Sequence, residues 1–143
     1  MAVSYTNNWK NIADKLNNIF AKEFGGALPV YVGEGEYSDN QFIKIIPDSN
    51  ELIEKVVSAE LRQYNFNFIV YIMEGNAKNV ALSNMLRILS RIESLIGNNQ
   101  SMTLSDSTTS INGELISYEI DESEIYRYII TMDYVCHHLG CIS

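Results

Sequence analysis

The sequence predicts an α+β fold, namely a mainly antiparallel sheet built from hairpins, with two main helices packed on one face. The first observation is a β-rich run at residues 123–136, which is free of Gly and Pro and alternates an apolar face with a mixed one. Residues 61–73 alternate in the same way. Two other segments, residues 9–24 and about 77–96, carry apolar residues at helical spacing instead.

The first helix is expected to begin after Ser4 or Thr6, either of which can cap its free N–H groups. It is expected to end at Gly25-Gly26, because Gly accepts the left-handed backbone that follows many helices. Its predicted apolar face consists of Trp9, Ile12, Ala13, Leu16, Ile19, Phe20 and Phe24.

Two short strands, residues 28–33 and 41–46, flank a polar segment with Gly and Asn, and we expect them to pair as an antiparallel hairpin. Pro47 is expected to end the second strand, because proline has no N–H group for the sheet ladder. Residues 48–59 fit either one or two helical turns or an extension of the next strand, and we treat them as a connecting segment.

The second helix is expected to start with Asn76 as its cap and to stop at Gly97. Arg87 and Arg91 lie four residues apart, on the side away from its apolar stripe. That stripe consists of Leu82, Met85, Leu86, Leu89, Ile92 and Ile96. On the preceding strand, the predicted core face consists of Tyr64, Phe66, Phe68, Val70 and Ile72.

The last part of the chain begins with a polar segment of low complexity at about residues 98–112, which we predict to be a long flexible loop. Met102, Leu104 and Ile111 can hold parts of it as a short strand. A strand at residues 113–120 and a turn at residues 121–123 precede the final strand. The core face of that final strand consists of Tyr126, Tyr128, Ile130, Met132, Tyr134 and Cys136.

The length of 143 residues predicts a single domain, residues 1–143. Ten Lys and Arg against eighteen Asp and Glu give a net charge of −8, which disfavours nonspecific binding to nucleic acid. No apolar run approaches the roughly 18 residues of a membrane span, and the N-terminus lacks the pattern of a signal peptide. We therefore expect a protein made in a cytosol, with Cys136 and Cys141 as free thiols.

The sequence contains none of the common catalytic motifs, and we expect no catalytic residue and no cofactor. The run Cys136-His137-His138-Leu139-Gly140-Cys141 has the residue types of a zinc site, but structural zinc sites usually draw ligands from two separated elements. We expect no metal, a buried Cys136 thiol and the two histidines in a frayed tail. The carboxylates around Asp121 are interpreted as a solvated hairpin turn.

The charged residues that we single out are candidates for contacts between subunits. Arg87 and Arg91 form a local basic spot on an acidic protein, suited to carboxylates of a neighbouring copy. The carboxylates that we assign to this role are Asp121, Glu122 and Glu124. A solvated helix face is the competing interpretation of the two arginines.

The organisation of most of the chain resembles that of tail terminator proteins of tailed bacteriophages, also known as tail completion or head–tail joining ring proteins. The resemblance lies in an opening helix ending at Phe24-Gly25, a strand at residues 29–32, the strand at residues 64–72, the long helix around residues 82–89, and a closing hairpin. It implies a homohexameric ring that caps the tail tube, ends its polymerisation and provides the surface for head docking.

The resemblance also implies the partners and the location. They are the tail-tube protein, a head-connector protein and a position at the head–tail junction of the virion, with DNA passing through the channel without specific binding and no membrane involved. Neither an enzymatic activity nor a cofactor is implied. The alternatives are another head–tail connector ring protein, or a small cytosolic α+β domain with a ligand-binding or regulatory role.

Overall fold

The computed structural model describes residues 6–33, 41–73, 78–124 and 127–141. It confirms the α+β class. The helices are α1 (Asn8–Phe24) and α2 (Lys78–Asn98), with a short 3-10 turn at Gly25–Ala27. The strands are β1 (Val30–Val32), β2 (Phe42–Val56), β3 (Ala59–Met73), β4 (Met102–Thr103), β5 (Thr109–Glu124) and β6 (Arg127–Cys141).

The described strands form one sheet in the order β1-β2-β3-β6-β5-β4, and both helices pack on the same face of it. The alternation of β3 and β6 determines that face: the even-numbered residues from Tyr64 to Ile72 and from Tyr128 to His138 are buried under the helices, and the odd-numbered residues point the other way. The core faces predicted for both strands are confirmed within the described residues, and Tyr126 lies outside them.

Helix α1 buries most of the predicted apolar face, and its ring contacts anchor it to β3. Trp9 meets Tyr64 and Phe66 edge-on, with centroid distances of 4.9 and 5.3 Å, and Phe20 meets Phe68 at 5.1 Å. The prediction that Thr6 can cap the start of α1 was wrong.

The residue that caps α1 is Asn7, whose side-chain oxygen accepts the Lys10 N–H at 3.1 Å, while Ser4 lies outside the described residues. Asn is as good a cap as Ser, and it stands directly before the helix. The end at Gly25 is confirmed, with a φ of 58°.

Helix α2 is rotated relative to the predicted stripe. Met85, Leu89, Ile92 and Ile96 are buried as expected, and Ile88 joins them. Leu82 and Leu86 are 40% and 50% exposed, which corrects the prediction. At about 100° per residue, these two leucines lie on the edge of the arc centred on the buried positions. Gly97, predicted to follow the helix, lies inside it.

The predicted antiparallel hairpin of the first two strands was wrong, because β1 and β2 are parallel, with Val30 opposite Ile43. The sequence pattern of a strand does not contain its direction. Since β1 is so short, the chain has to return only roughly 10 Å to start β2.

Strand β2 also runs on through Pro47, which was predicted to end it, and takes up the segment at residues 48–59 that was treated as a connection. Among the described residues, none pairs with the outer side of β2 beyond Ile45, so β2 is an edge strand there within the described part of the sheet, and a residue without an N–H group is tolerated at an edge. The pairing with β3 continues to Val56 opposite Ala59, with bulges after Pro47 and after Leu52.

The remaining differences lie in the last third of the chain. Within the predicted loop at residues 98–112, Met102 and Leu104 are buried and β4 pairs with the start of β5, as their apolar side chains allowed. The turn predicted at residues 121–123 is strand, since β5 reaches Glu124. The predicted frayed tail was wrong, because β6 pairs with β3 as far as Cys141.

Candidate assembly surface

The β2–β3 hairpin extends past the helices as an arm, which we define as residues 47–62. Every residue from Glu51 to Ser58 is exposed, although the backbone of the two strands remains paired down to the turn. Four large apolar side chains are exposed on it: Leu52 at 44%, Ile53 at 45%, Val56 at 50% and Val57 completely. A chain of this size rarely exposes such a group unless another surface covers it.

The strand register assigns the arm residues to two faces, because residues directly opposite each other in an antiparallel pair share a face. Val56 lies opposite Ala59, Glu54 opposite Leu61, and Leu61 in turn opposite Leu139 of β6, which is 55% exposed. These residues belong to the face of the sheet that the helices do not cover. The uncovered side of the arm is therefore apolar with a carboxylate border.

The middle of the uncovered face carries a row of hydrogen-bonded side chains that crosses four strands. Asn65 donates to Ser49 at 2.7 Å, and Gln63 donates to Asn65 at 3.1 Å. His137 Nε2 lies 3.2 Å from Gln63 Oε1, and its Nδ1 lies 3.3 Å from Asn112 Nδ2. A neutral imidazole that donates through Nε2 and accepts through Nδ1 satisfies both contacts.

Beside this row lies an open cavity of about 660 Å³. Three carboxylates, from Asp48, Glu114 and Asp133, line it together with the His137 imidazole. Ser117 donates to Asp133 at 3.2 Å. The lining is thus polar and acidic, and it contains no Lys or Arg.

At the other end of the uncovered face, aromatic rings enclose a lysine. Phe42 stacks on Tyr71 with a centroid distance of 4.6 Å, and the Lys44 ammonium lies 5.2 Å from the Tyr71 ring centre. Lys44 is only 8% exposed. This arrangement lets one cation remain buried against an aromatic face.

Under the opposite face, a buried histidine connects to the β4–β5 turn. Thr108 donates to Asp106 at 2.6 Å, so its oxygen accepts from His138 Nε2 at 2.8 Å. His138 is 1% exposed, and burial lowers the pKa of its imidazole while the nearby Asp106 carboxylate acts to raise it. The Thr108 hydroxyl in turn lowers the pKa of Asp106.

The Cys136 thiol is also buried, and burial raises its pKa. Cys136 and His138 share the core side of β6, whereas His137 lies on the uncovered side, so strand alternation separates the predicted zinc-type residues. The structure contains no group of three or more His, Cys, Asp or Glu arranged to hold a metal ion, as far as the chain is described.

The two arginines that were predicted to contact another subunit lie on the exposed side of α2. Arg91 bonds the Glu23 carboxylate at 3.1 Å and lies 4.6 Å from the Phe24 ring centre, so it ties α2 to the end of α1. Arg87 donates to the side chain of Asn84 at 2.6 Å.

The predicted acidic partners of the arginines are all strand residues. Asp121 and Glu122 are exposed near the end of β5, and Glu124 is its last residue. The structure brings none of the three into an ion pair with Arg87 or Arg91, within the residues whose side chains it describes.

The arm was missed from the sequence, although a signal for it exists. Leu52, Ile53, Val56 and Val57 stand among charged residues at a spacing that fits one or two helical turns and does not show the two-residue alternation of a strand. The bulge after Leu52 shifts the alternation by one residue, which hides the strand pattern. A bulged, solvent-exposed hairpin produces this irregular mixture.

No helix in the described parts of the chain is long and apolar enough to cross a membrane.

Comparison with known proteins shows the fold and nothing finer. No family model matches the chain, and no curated protein is similar to it. Sixteen chains of solved structures match. One of them, whose name states no activity, has a TM-score of 0.60 and 11% sequence identity, over 91% of this chain and 92% of its own. This likeness shows that the arrangement of helices and sheet occurs in another protein.

Proposed function

We propose that the protein is a structural subunit of a bacteriophage tail, which forms a ring of six copies at the head–tail junction. The ring caps the tail tube, ends its polymerisation and presents the surface on which the head docks. Its partners are copies of itself, the tail-tube protein and a head-connector protein. It needs no cofactor and catalyses no reaction.

The observation that carries the assembly part of this proposal is the arm. Its apolar side chains lie on a paired, bulged hairpin at one end of the sheet, while Leu82 and Leu86 are exposed on α2, a separate element. Two different apolar surfaces on one chain are what head-to-tail contacts need, and such contacts close into rings when the rotation between copies permits. The tail terminator role itself rests on the resemblance in organisation.

The distribution of charge supports a channel for DNA. Five carboxylates outside the arm contact are placed on or beside the uncovered face by the strand register or by the cavity lining, namely Asp48, Glu114, Glu119, Asp121 and Asp133. A surface of this sign repels phosphate and lets a duplex pass without binding.

Native mass spectrometry from low to high micromolar concentration, with electron microscopy of tails assembled in its presence, tests the proposal. A closed ring, alone or at the tube end, is the expected result. The subunit can be monomeric alone if ring closure needs the tube, so tail-bound particles are the deciding sample. A species that is monomeric both alone and on tails would refute the proposal.

The 660 Å³ cavity favours a second candidate function, that of a small cytosolic domain with a regulatory role or a role in binding a polar ligand. This candidate predicts a monomer or dimer whose melting temperature rises with a small cationic molecule. His137→Gln and Asp133→Asn would abolish that rise. A ring that assembles equally well with both substitutions separates the two candidates.

A further inference from the structure

The helical layer and the rest of the molecule carry opposite charge. Helices α1 and α2 together hold six Lys and Arg and three Asp and Glu, a formal charge of +3, against −8 for the whole chain. The remaining residues therefore carry −11. An acidic protein that concentrates its cations on one layer has two surfaces that attract each other between copies.

The arm supplies the acidic half of such a contact. On its uncovered side the register places Glu51 opposite Gln63 and Glu54 opposite Leu61, next to Val56. On the other side of the hairpin, Lys55 lies opposite Glu60 in the strand register, and Arg62 forms an ion pair with Glu60 at 2.6 Å. The uncovered side of the arm thus combines exposed apolar groups with two carboxylates and has no cation of its own.

The exposed side of α2 supplies the basic half. Leu82 and Leu86 lie one turn apart, and Ser83, Arg87 and Ser90 continue the same exposed surface. Arg87 borders the leucines, and its guanidinium has further N–H groups that can donate to a carboxylate in addition to its bond to Asn84. The small serines leave room for a hairpin to approach the helix.

We propose that the uncovered side of the arm packs onto the α2 surface of a neighbouring copy of this chain. Val56 contacts Leu82 and Leu86, and Glu54 pairs with Arg87. Each copy then gives an arm to one neighbour and receives an arm from the other, which is a heterologous contact. This inference rests on the proposed ring and names the two surfaces that build it.

A disulfide between two tagged copies tests this placement directly. One copy carries Val56→Cys and the other Leu86→Cys, both with Cys141→Ser, which leaves the buried Cys136 as the remaining native cysteine. After co-expression and mild oxidation we expect a cross-link between the two tags. The matched control replaces Leu86→Cys by Glu119→Cys, an exposed position on β5, and should cross-link at least tenfold less.

A charge exchange tests the contact without a covalent bond. Glu54→Arg or Arg87→Glu alone should lower the amount of assembled ring at least tenfold, and the two changes in one chain should restore it, because every interface then regains an opposite pair. Circular dichroism of each variant confirms that the monomer is folded. In a mixture of the two single variants, the arm of each variant meets an opposite charge on α2 of the other variant, so alternating copies should restore a ring of six.

The outcomes separate this inference from the proposed function. Rings that form with no cross-link above the control, or that tolerate both single charge reversals, overturn the arm-to-helix contact and leave the ring intact. A cross-link between two Val56→Cys copies, without one to Leu86→Cys, would show that arms meet each other and would also overturn it. The absence of any ring, alone and on tails, overturns both.

Discussion

Gly113→Ala tests how tightly β5 packs on the core. An added Cβ at this position would lie 2.5 Å from the Tyr134 hydroxyl oxygen, 3.3 Å from the Gln100 carbonyl oxygen and 3.4 Å from the Tyr134 ring carbon that carries the hydroxyl. The ring cannot withdraw easily, because Tyr134 is 1% exposed and stacks on Phe68 at 5.0 Å. The hydroxyl oxygen is therefore the atom that excludes a methyl group.

The expected cost of Gly113→Ala is that of an overpacked core, about 1–3 kcal/mol in the free energy of unfolding. Tyr134→Phe removes the clashing oxygen. It should be nearly neutral alone, since that hydroxyl is buried with no hydrogen-bond partner among the described residues. With both changes, the nearest contacts are those at 3.3 and 3.4 Å, so most of the stability should return. The double-mutant cycle should show a coupling of about 1–2 kcal/mol.

Urea unfolding gives the free energy of unfolding of the wild type, the two single variants and the double variant. Circular dichroism and the fluorescence of Trp9 monitor the transition. Trp9 is the single tryptophan and packs against Tyr64 and Phe66. Gly97→Ala is the matched control, because it lies in α2 and an added Cβ there meets nothing within 4 Å. It should stabilise by up to about 1 kcal/mol. A double variant as unstable as Gly113→Ala alone would refute the steric argument.

Three further predictions concern the pH dependence of stability, the ion pair between Arg91 and Glu23, and the mobility of residues 98–112. Burial lowers the folded-state pKa of His138, so the unfolded state binds more protons below about pH 6.5 and the free energy of unfolding should fall as the pH drops below that value. His138→Gln should flatten this part of the stability–pH profile. An unchanged slope in the variant would contradict the argument. Arg91→Ala should cost about 1 kcal/mol or less, because its ion pair with Glu23 is exposed; thermal unfolding in low and high salt measures it, and a loss above 2 kcal/mol would show a larger role. Hydrogen exchange of the free protein should be fast at residues 105–107, which form an exposed turn, and slower at Ser110, which is buried; strong protection across the whole segment 98–112 would refute the predicted mobility.

The core faces of β3 and β6 could be predicted from the sequence, because strict alternation over many residues admits one interpretation. Their buried residues, such as Phe68 and Met132, follow directly from it. The direction of β1 could not be predicted, since pairing of three-residue strands depends on contacts with α1 and β2 rather than on local pattern. The rotation of α2 was missed for a related reason: an apolar residue at the edge of a stripe is buried only if a neighbour covers it, as Leu86 shows.

The candidate surface was predicted only in part. Arg87 and Arg91 are exposed on one side of α2, as their spacing indicated, but no local pattern indicates that Arg91 reaches Glu23, which is 68 positions away. The buried state of His138 was missed, because the pairing that extends β6 comes from β3 and β5, both far from it in sequence. Contacts between residues far apart in the sequence, helix to helix for Arg91 and strand to strand for His138, determined both results.

The outer edge of the arm bears on how this protein avoids uncontrolled pairing with other strands. Among the described residues, no strand lies beside β2 on its outer side from Pro47 onwards, and a long unpaired edge of this kind can recruit strands from other molecules. Pro47 removes one N–H group from this edge, and two bulges interrupt its regular spacing. Glu54 and Lys55 add charge along it. An incoming strand therefore finds no continuous template, so copies can meet through side chains on the faces of the arm without growing into an uncontrolled sheet.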